Sequence, residues 1–375
     1  MAKSILISPN SFKESASSIE IAKYFNDFLP DSFVKILKPI SDGGDGFLDV
    51  CKFYFGGEFI DYKISAPYSE EKISCEILYI KDQKKIYIES ANAIGLKIIP
   101  LEKRMPLKLS SKGLGELLKW ISQDISDRKM EVSEVIIGVG GTGTIDMGIG
   151  ACSQLGLKLK DSQGSILDSI PQNFNIANSL ISYIPKLPFC TTCIVDVNTS
   201  LFGYQGAINL YGPQKGATKD DIKQIEEGLS NIVNLLKNKD IDVLDEKING
   251  AGGGLASGLQ IFLNAKIIKS KGFLNDLIIQ KKFEAVDYII TGEGAFDYQS
   301  LEGKGAGIII EKFKNSGKQI YLICGNIEKT IVSKLPDNVK VIELTNFFNS
   351  RKESINNVKE GIRLATLEII KHIDK

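Results

Sequence analysis

Short apolar runs that end in glycine and acidic residues, with helical-period stretches between them, mark both ends of this chain and leave few folds open. SILIS (Ser4–Ser8) is followed by Ile21, Ala22, Phe25, Phe28 and Leu29 at helical spacing, and then by VKILKPI. Ser17 and Glu20 fit a capping box at the start of that helix. The C-terminal end repeats the pattern. AVDYIITG is a strand, a helix is expected over about residues 306–314, and QIYLICG and VKVIELT are strands. A closing helix from about Glu353 places Ile355, Val358, Ile362, Ala365, Ile369 and Ile373 on one side. Five strands alternating with helices predict an α/β fold: a flavodoxin-like, doubly wound parallel sheet.

The middle of the chain behaves differently. KISCEILYI alternates apolar and polar residues, which predicts an antiparallel, half-exposed sheet. EVIIGVGG, CTTCIVDV and a strong helix starting at Thr218 follow. This predicts a second α/β domain, residues 63–271, inserted into a domain made of residues 1–62 and 272–375.

The chemistry is narrowed by a single histidine, His372, close to the end of the sequence. Ser-His-Asp and Cys-His arrangements, and histidine-rich zinc sites, are disfavoured on that ground. Asp, Glu and Lys are left to do the proton and charge work, which suits phosphoryl transfer. Lys+Arg and Asp+Glu both number 46, so no basic surplus points to nucleic acid. SILI is too short for a signal segment and no run approaches the ~20 apolar residues of a membrane span, so a cytoplasmic protein with no membrane partner is expected. The six cysteines suit reduced thiols. Cys190 and Cys193 have redox-motif spacing but lead straight into IVDV, so they are expected to be buried strand thiols.

In a parallel sheet, ligands sit outside the carboxyl ends of the strands. The first strand ends in Asn10, Ser11, Phe12 and Lys13, and the second in Ser41, Asp42, Gly43, Gly44, Asp45 and Gly46. The third ends in Gly292, Glu293, Gly294, Ala295, Phe296 and Asp297, and the fourth in Gly325 and Asn326. A lysine and several acids thus converge on one edge. A lone Asp-Gly-Gly turn would mean little, but the joint arrangement indicates a site.

The inserted domain adds three candidates. Lys215, in GPQKGAT at the start of the strong helix, is placed to meet a phosphate or carboxylate from a solvent-facing loop. Asp196, ending a very apolar strand, needs a cation or a set of donors as partner. Gly140, Gly141 and Thr142 lie in GVGGTG, a literal G-x-G-x-x-G with a strand before it, a helix after it and Asp161 some way on, which raises a dinucleotide site and an NAD-dependent oxidoreductase. LGLKLK before Asp161 alternates, however, and a Rossmann second strand should not. No G-x-x-x-x-G-K-[ST] is present, which excludes a P-loop kinase.

SPNSFKES, PISDGGDG, SSKGLGEL, GVGGTGTIDMGIG, VDVNTSLFG, GPQKGAT, GAGGGLASGL and ITGEGAFDYQSLEGK, in this order along nearly the whole chain, resemble the bacterial glycerate kinase family. The resemblance implies the same two-domain fold, ATP, a divalent metal (Mg²⁺), D-glycerate as substrate and phosphoglycerate, usually the 2-phosphate, as product. It implies that Lys13, Gly140, Gly141, Thr142, Gly292, Glu293 and Gly294 meet ATP. Ser11, Asp42, Gly43, Gly44 and Asp45 would meet the substrate. Asp196, Lys215 and Asp297 would be catalytic, with Asp196 beside the substrate hydroxyl and Glu293 and Asp297 at the metal. Departures are Asn10 where Asp is common, Glu14 where Gly is, Ile145 and Met147 within the GTGTIDMG stretch, Thr199-Ser200 for Asn-Pro, Ala295 for Arg and Tyr298 for Gly. Losing that arginine removes an anion contact, so a related hydroxy acid and a non-catalytic acid-binding relative stand beside the kinase.

Overall fold

A computed structural model describes residues 2–196, 199–238, 248–278, 286–301 and 305–374. Val197 and Asn198 of VDVNTSLFG, and Glu302, Gly303 and Lys304 of the ITGEG stretch, lie outside the described residues, as does Ala285 at the start of AVDYIITG. The chain forms two compact units, Met1–Tyr54 with Ser270–Lys375, and Phe55–Lys269.

Among the described residues the first unit holds a five-stranded sheet, built from β1 (Ser4–Pro9), β2 (Val34–Leu37) and, past the strands β3–β11 of the second unit, β12 (Tyr288–Phe296), β13 (Gln319–Ile327) and β14 (Val339–Glu343). Its order is β14-β13-β12-β1-β2, and every pairing is parallel. Read from the other edge this is the 2-1-3-4-5 order of flavodoxin-like sheets. The strands are apolar on both faces. Ile5, Ile7, Ile290 and Ile323 join Ile21 and Phe25 of the helix Ser18–Phe28 and Ile362 and Ile369 of the helix Val358–Ile373 in one core. Ser17 caps the first of these helices, and the Glu20 carboxylate accepts from the Ser17 N–H in return. His372 faces inward on the last helix, its Nδ1 2.8 Å from the buried Tyr321 hydroxyl, which gives the lone histidine a structural partner.

The second unit has a six-stranded sheet of β3 (Glu58–Ser65), β4 (Lys72–Ile80), β5 (Lys85–Glu89), β6 (Glu134–Val139), β10 (Cys190–Val195) and β11 (Lys266–Lys269), ordered β11-β10-β6-β5-β4-β3. β5, β6, β10 and β11 are parallel, whereas β3 and β4 form the antiparallel edge that their alternation announces. A three-stranded antiparallel sheet, β8-β7-β9, comprises β7 (Leu157–Lys160), β8 (Ile166–Leu167) and β9 (Ser179–Ser182). The strong helix runs Lys219–Lys237, capped by Thr218 with Asp221 answering. Cys193 is buried on β10, but Cys190 at the strand start is exposed, contrary to expectation. It occupies the amino end of the strand, and its backbone N–H donates to the Ser133 carbonyl.

Candidate functional site

At the carboxyl edge of the five-stranded sheet, the structure gathers the N-terminal loop, the Asp-Gly-Gly loop and the Gly-Glu-Gly stretch. The last of these is not the loop it was expected to be. β12 continues through Gly292, Glu293, Gly294 and Ala295 to Phe296, pairing with β13 as far as Ile327. Its glycines serve packing. A Cβ on Gly292 would lie 1.9 Å from the Ile323 carbonyl oxygen, and one on Gly294 would lie 3.1 Å from the Lys13 nitrogen. Asn10 donates its backbone N–H to the Gly292 carbonyl at 2.8 Å, so the Asn10–Lys13 segment rides on this strand.

Polar groups concentrate beside it. Asn10 is buried; its Oδ1 accepts the Ser11 N–H at 2.9 Å and its Nδ2 donates to Asp42 Oδ2 at 3.4 Å. Gly44 donates to Asp42 Oδ1, and Gly43, at φ +97°, donates to the Ser41 hydroxyl, which fixes the turn that carries Asp42 and Asp45. Glu293 projects into the group, and its buried Oε1 has no hydrogen-bond partner among the described residues. A Cβ on Gly305, which opens the helix Gly305–Phe313, would stand 2.6 Å from Glu293 Oε2 and 2.7 Å from Asn10 Nδ2. Burial, with a further push from Asp42 and Asp297, raises the Glu293 carboxyl to about 8, despite a hydrogen bond from Ser300 and the nearby charge of Lys13.

Asp297 is less available than expected. Its Oδ1 accepts the N–H groups of Gln299 at 2.9 Å and Ser300 at 3.1 Å, so it caps the short helix Tyr298–Leu301. Among the described residues, no group of three or more His, Cys, Asp or Glu could hold a metal ion. Mg²⁺ commonly takes one or two carboxylates, completing its shell with water and substrate phosphates. The orphaned Oε1 of Glu293 beside Asp42 fits that sparser arrangement, and two carboxylate-capping N–H bonds on Asp297 weaken its claim.

The second unit brings Lys215, Thr142 and the glycine loop together. Lys215 is not the solvent-facing side chain the sequence suggested. It is 5 % exposed, and its Nζ donates to the Thr144 carbonyl at 2.9 Å and the Thr142 hydroxyl at 3.3 Å. The reason is local: Pro213–Lys215 is a single 3-10 turn ahead of the Thr218 cap, so the lysine turns inward and the long helix starts four residues later. Burial pushes Lys215 down to about 8, with Asp146 pulling it back up.

Asp146 lies near Lys215 and is shielded from solvent. It is fully buried, and its carboxylate accepts the Ser111 N–H and hydroxyl at 2.7 Å each and the Gly148 and Gly150 N–H groups at 3.2 Å each. It therefore occupies the amino end of the helix Ile149–Leu155, where a dinucleotide would have to place its pyrophosphate. The GVGGTG loop is likewise committed, since Gly141 accepts from Leu96 and Gly143 donates to Ile94. Asp161, the would-be ribose acid, closes an Asx turn with Gln163 and Ser165. These contacts remove the physical basis for an NAD site. Asp196 follows β10 directly, just beyond the last paired residues Val195 and Val139.

Residues 5–374 match the sequence model of the Glycerate kinase family. A glycerate kinase of Neisseria meningitidis serogroup B is 31% identical over 343 residues, covering 90% of this chain and 89% of that protein. A protein named Glycerate 2-kinase from Escherichia coli K12 is 32% identical over 333 residues, covering 86% and 85%. A crystal structure from Salmonella typhimurium LT2, described as a glycerate kinase 2, superposes with a TM-score of 0.73 at 26% identity over 99% of both chains.

Proposed function

The chain belongs to the glycerate kinase family, and from that premise we propose that it transfers the γ-phosphoryl group of ATP to a hydroxyl of D-glycerate, giving phosphoglycerate and ADP. In balance, the hydroxyl oxygen forms a bond to the γ-phosphorus, the bond from that phosphorus to the β–γ bridging oxygen breaks, and the hydroxyl proton passes to a carboxylate. The 2-position is favoured, in line with the name of the Escherichia coli relative.

The observation that carries the proposal is the buried, hydrogen-bond-poor Glu293 carboxylate, set with Asp42, Asn10 and Lys13 at the carboxyl edge of a parallel sheet. It suits phosphoryl transfer, in which the protein positions groups and neutralises charge. Glu293 and Asp42 would hold Mg²⁺, with Asp297 contributing its remaining oxygen; when bound, the ion neutralises phosphate charge. Lys13 and the thin glycine edge at Gly292 and Gly294 would meet ATP. Ser11, Asp42, Gly43, Gly44 and Asp45 would line the substrate. Asp196 would accept the hydroxyl proton, in the absence of any histidine placed to do so. Gly140, Gly141 and Thr142 would shape a nucleotide-facing loop. Lys215 would act by holding that loop from within. Among the described residues no helix is long and apolar enough to cross a membrane, which fits the cytoplasmic location we propose.

The test is release of ADP coupled to an indicator reaction, with D-glycerate as acceptor and the phosphate position read by ³¹P NMR. Turnover with phosphate on the 2-oxygen is expected. Binding of glycerate without turnover would identify an acid-binding relative instead. Turnover to the 3-phosphate would keep the kinase and correct the position.

A further inference from the structure

Three segments of the second unit meet at one arginine. The chain leaving the helix Ser90–Ile94 passes Leu96 and Ile99 and enters a single 3-10 turn, Leu101–Lys103. Arg104 closes that turn by donating its backbone N–H to the Leu101 carbonyl at 3.2 Å. Its part-buried guanidinium folds back on the same chain. Nε donates to the Ile99 carbonyl at 3.2 Å, and Nη2 donates to the Leu96 carbonyl at 3.1 Å. One rigid, planar fork thus fixes two carbonyls together.

The chain held in this way grips the glycine loop. The Leu96 N–H donates to the Gly141 carbonyl at 2.9 Å, the Gly143 N–H donates to the Ile94 carbonyl at 2.7 Å, and Gly95 and Thr142 form the bridge between them. Leu96 is therefore committed twice, through its N–H to the glycine loop and through its carbonyl to Arg104. The Arg104 backbone meets the third segment. A Cβ on Gly216, at φ +96°, would lie 2.4 Å from the Arg104 carbonyl oxygen and 3.1 Å from Arg104 Cβ. The residue before Gly216 is Lys215, whose Nζ returns to the Thr142 hydroxyl and the Thr144 carbonyl. The circuit closes: Arg104 holds Leu96, Leu96 holds Gly141, Thr142 accepts from Lys215, and Gly216 packs on Arg104. Glycine has the most conformational freedom to lose, so a glycine loop keeps one arrangement only when its surroundings impose it.

We propose that Arg104 is a positioning residue for phosphoryl transfer: it fixes Leu96 and Ile99, and through them holds the Gly140–Thr142 loop ordered for the nucleotide, complementing the hold of Lys215. A loop ordered in advance loses less freedom when its ligand arrives, and the saving appears as affinity. Arg104 acts through other residues, so KM for ATP should move more than kcat. This inference rests on the nucleotide-facing role proposed above for that loop.

The experiment compares the full-length parent with Arg104→Ala, Arg104→Lys, Lys215→Met and the Arg104→Ala, Lys215→Met pair. Two readouts are taken: amide hydrogen exchange over residues 140–144 without ligand, and steady-state KM and kcat for ATP with D-glycerate as acceptor. In Arg104→Ala, exchange over 140–144 should rise roughly tenfold while the helix Lys219–Lys237 stays within about twofold. KM for ATP should rise roughly tenfold, with kcat within about threefold. Lysine keeps the charge but cannot reproduce the fork, so Arg104→Lys should stay within about threefold of Arg104→Ala on both readouts, and it supplies the test should Arg104→Ala not fold. In the pair, the effects on KM should combine to less than their product, because both residues hold one loop. Full recovery in Arg104→Lys would mean that charge alone acts and would overturn the proposal. So would a full product of effects in the pair, or an Arg104→Ala protein that melts earlier but keeps the parent's exchange over 140–144 and its KM. A parent without ATP turnover would instead overturn the underlying function, whereas an active parent with indifferent variants would sink only the role of Arg104.

Discussion

Replacing Glu293 by glutamine should make the protein more stable and inactive, and the gain should appear only at high pH. The folded-state carboxyl sits at about 8 against an ordinary 4.5, chiefly through burial. Between those values the folded chain keeps a proton that the unfolded chain has released. Rising pH therefore favours unfolding, and stability is lost progressively from about pH 4.5 to about pH 8. The interval of 3.5 pH units, at about 1.4 kcal/mol each, makes the loss about 5 kcal/mol at most. Glutamine carries no charge to desolvate, so Glu293→Gln should remove this decline. Urea unfolding in EDTA, followed by far-ultraviolet circular dichroism at pH 5 and pH 9, measures it. The parent should lose several kcal/mol between the two pH values and the variant much less, leaving the variant the more stable protein at pH 9. Mg²⁺ with nucleotide should restore the parent at pH 9, because a cation stabilises the ionised carboxylate. Parallel pH profiles for parent and variant would refute the reasoning, since they would mean that the Glu293 carboxyl ionises as if in water.

Lys215→Met should lower kcat/KM on the order of a hundredfold and also cost about 2 kcal/mol of stability, because it leaves the buried Thr144 carbonyl unpaired; unchanged thermal unfolding would show that the carbonyl finds another donor. Asp297→Asn should keep the Tyr298–Leu301 cap, since asparagine caps as well as aspartate, and its lost activity should recover in part with high Mg²⁺ or Mn²⁺. Asp196→Asn should not recover, the missing term being proton acceptance, and steady-state rates across a metal titration would reverse the two assignments if only Asp196→Asn responded. Glu14→Gly should raise stability by about 1 kcal/mol, because exposed Glu14 sits at φ +66° where its Cβ is crowded; an equal or lower melting temperature would mean that the backbone entropy of glycine outweighs the relief.

The sheet of the first unit was legible because its signal is local: each strand is an apolar run and each helix a 3.6-residue period, and the parallel order follows from their alternation. The departures share a different cause. GEGAFD, after the strand AVDYIITG, looked like a loop because it is rich in glycine, but Gly292 is glycine so that the Ile323 carbonyl can approach, a fact held by β13 and not by the stretch itself. Lys215 looked solvent-facing because lysine is costly to bury, and only the Thr142–Thr144 segment, far off in sequence, shows where its protons go. The buried setting of Asp146 was not legible, since its four donors come from two separate segments. Glu14 and Met147 stand where the resembling family has glycine, and both adopt positive φ, 66° and 50°, which supplies the physical reason for glycine there.

The sheet order β14-β13-β12-β1-β2 also sets a timetable for synthesis. β1 lies between β2 and β12, but Pro9 leaves the ribosome about 280 residues before Tyr288 does. At roughly 5–20 residues per second, that is about 15–55 s during which SILISP presents an unpaired apolar edge. The continuous Phe55–Lys269 segment has all its partners in hand well before then and can fold first. A nascent chain arrested before Tyr288 should therefore carry a protease-resistant middle attached to a protease-sensitive N-terminal segment, and should recruit chaperones through β1 and not through the strands that follow.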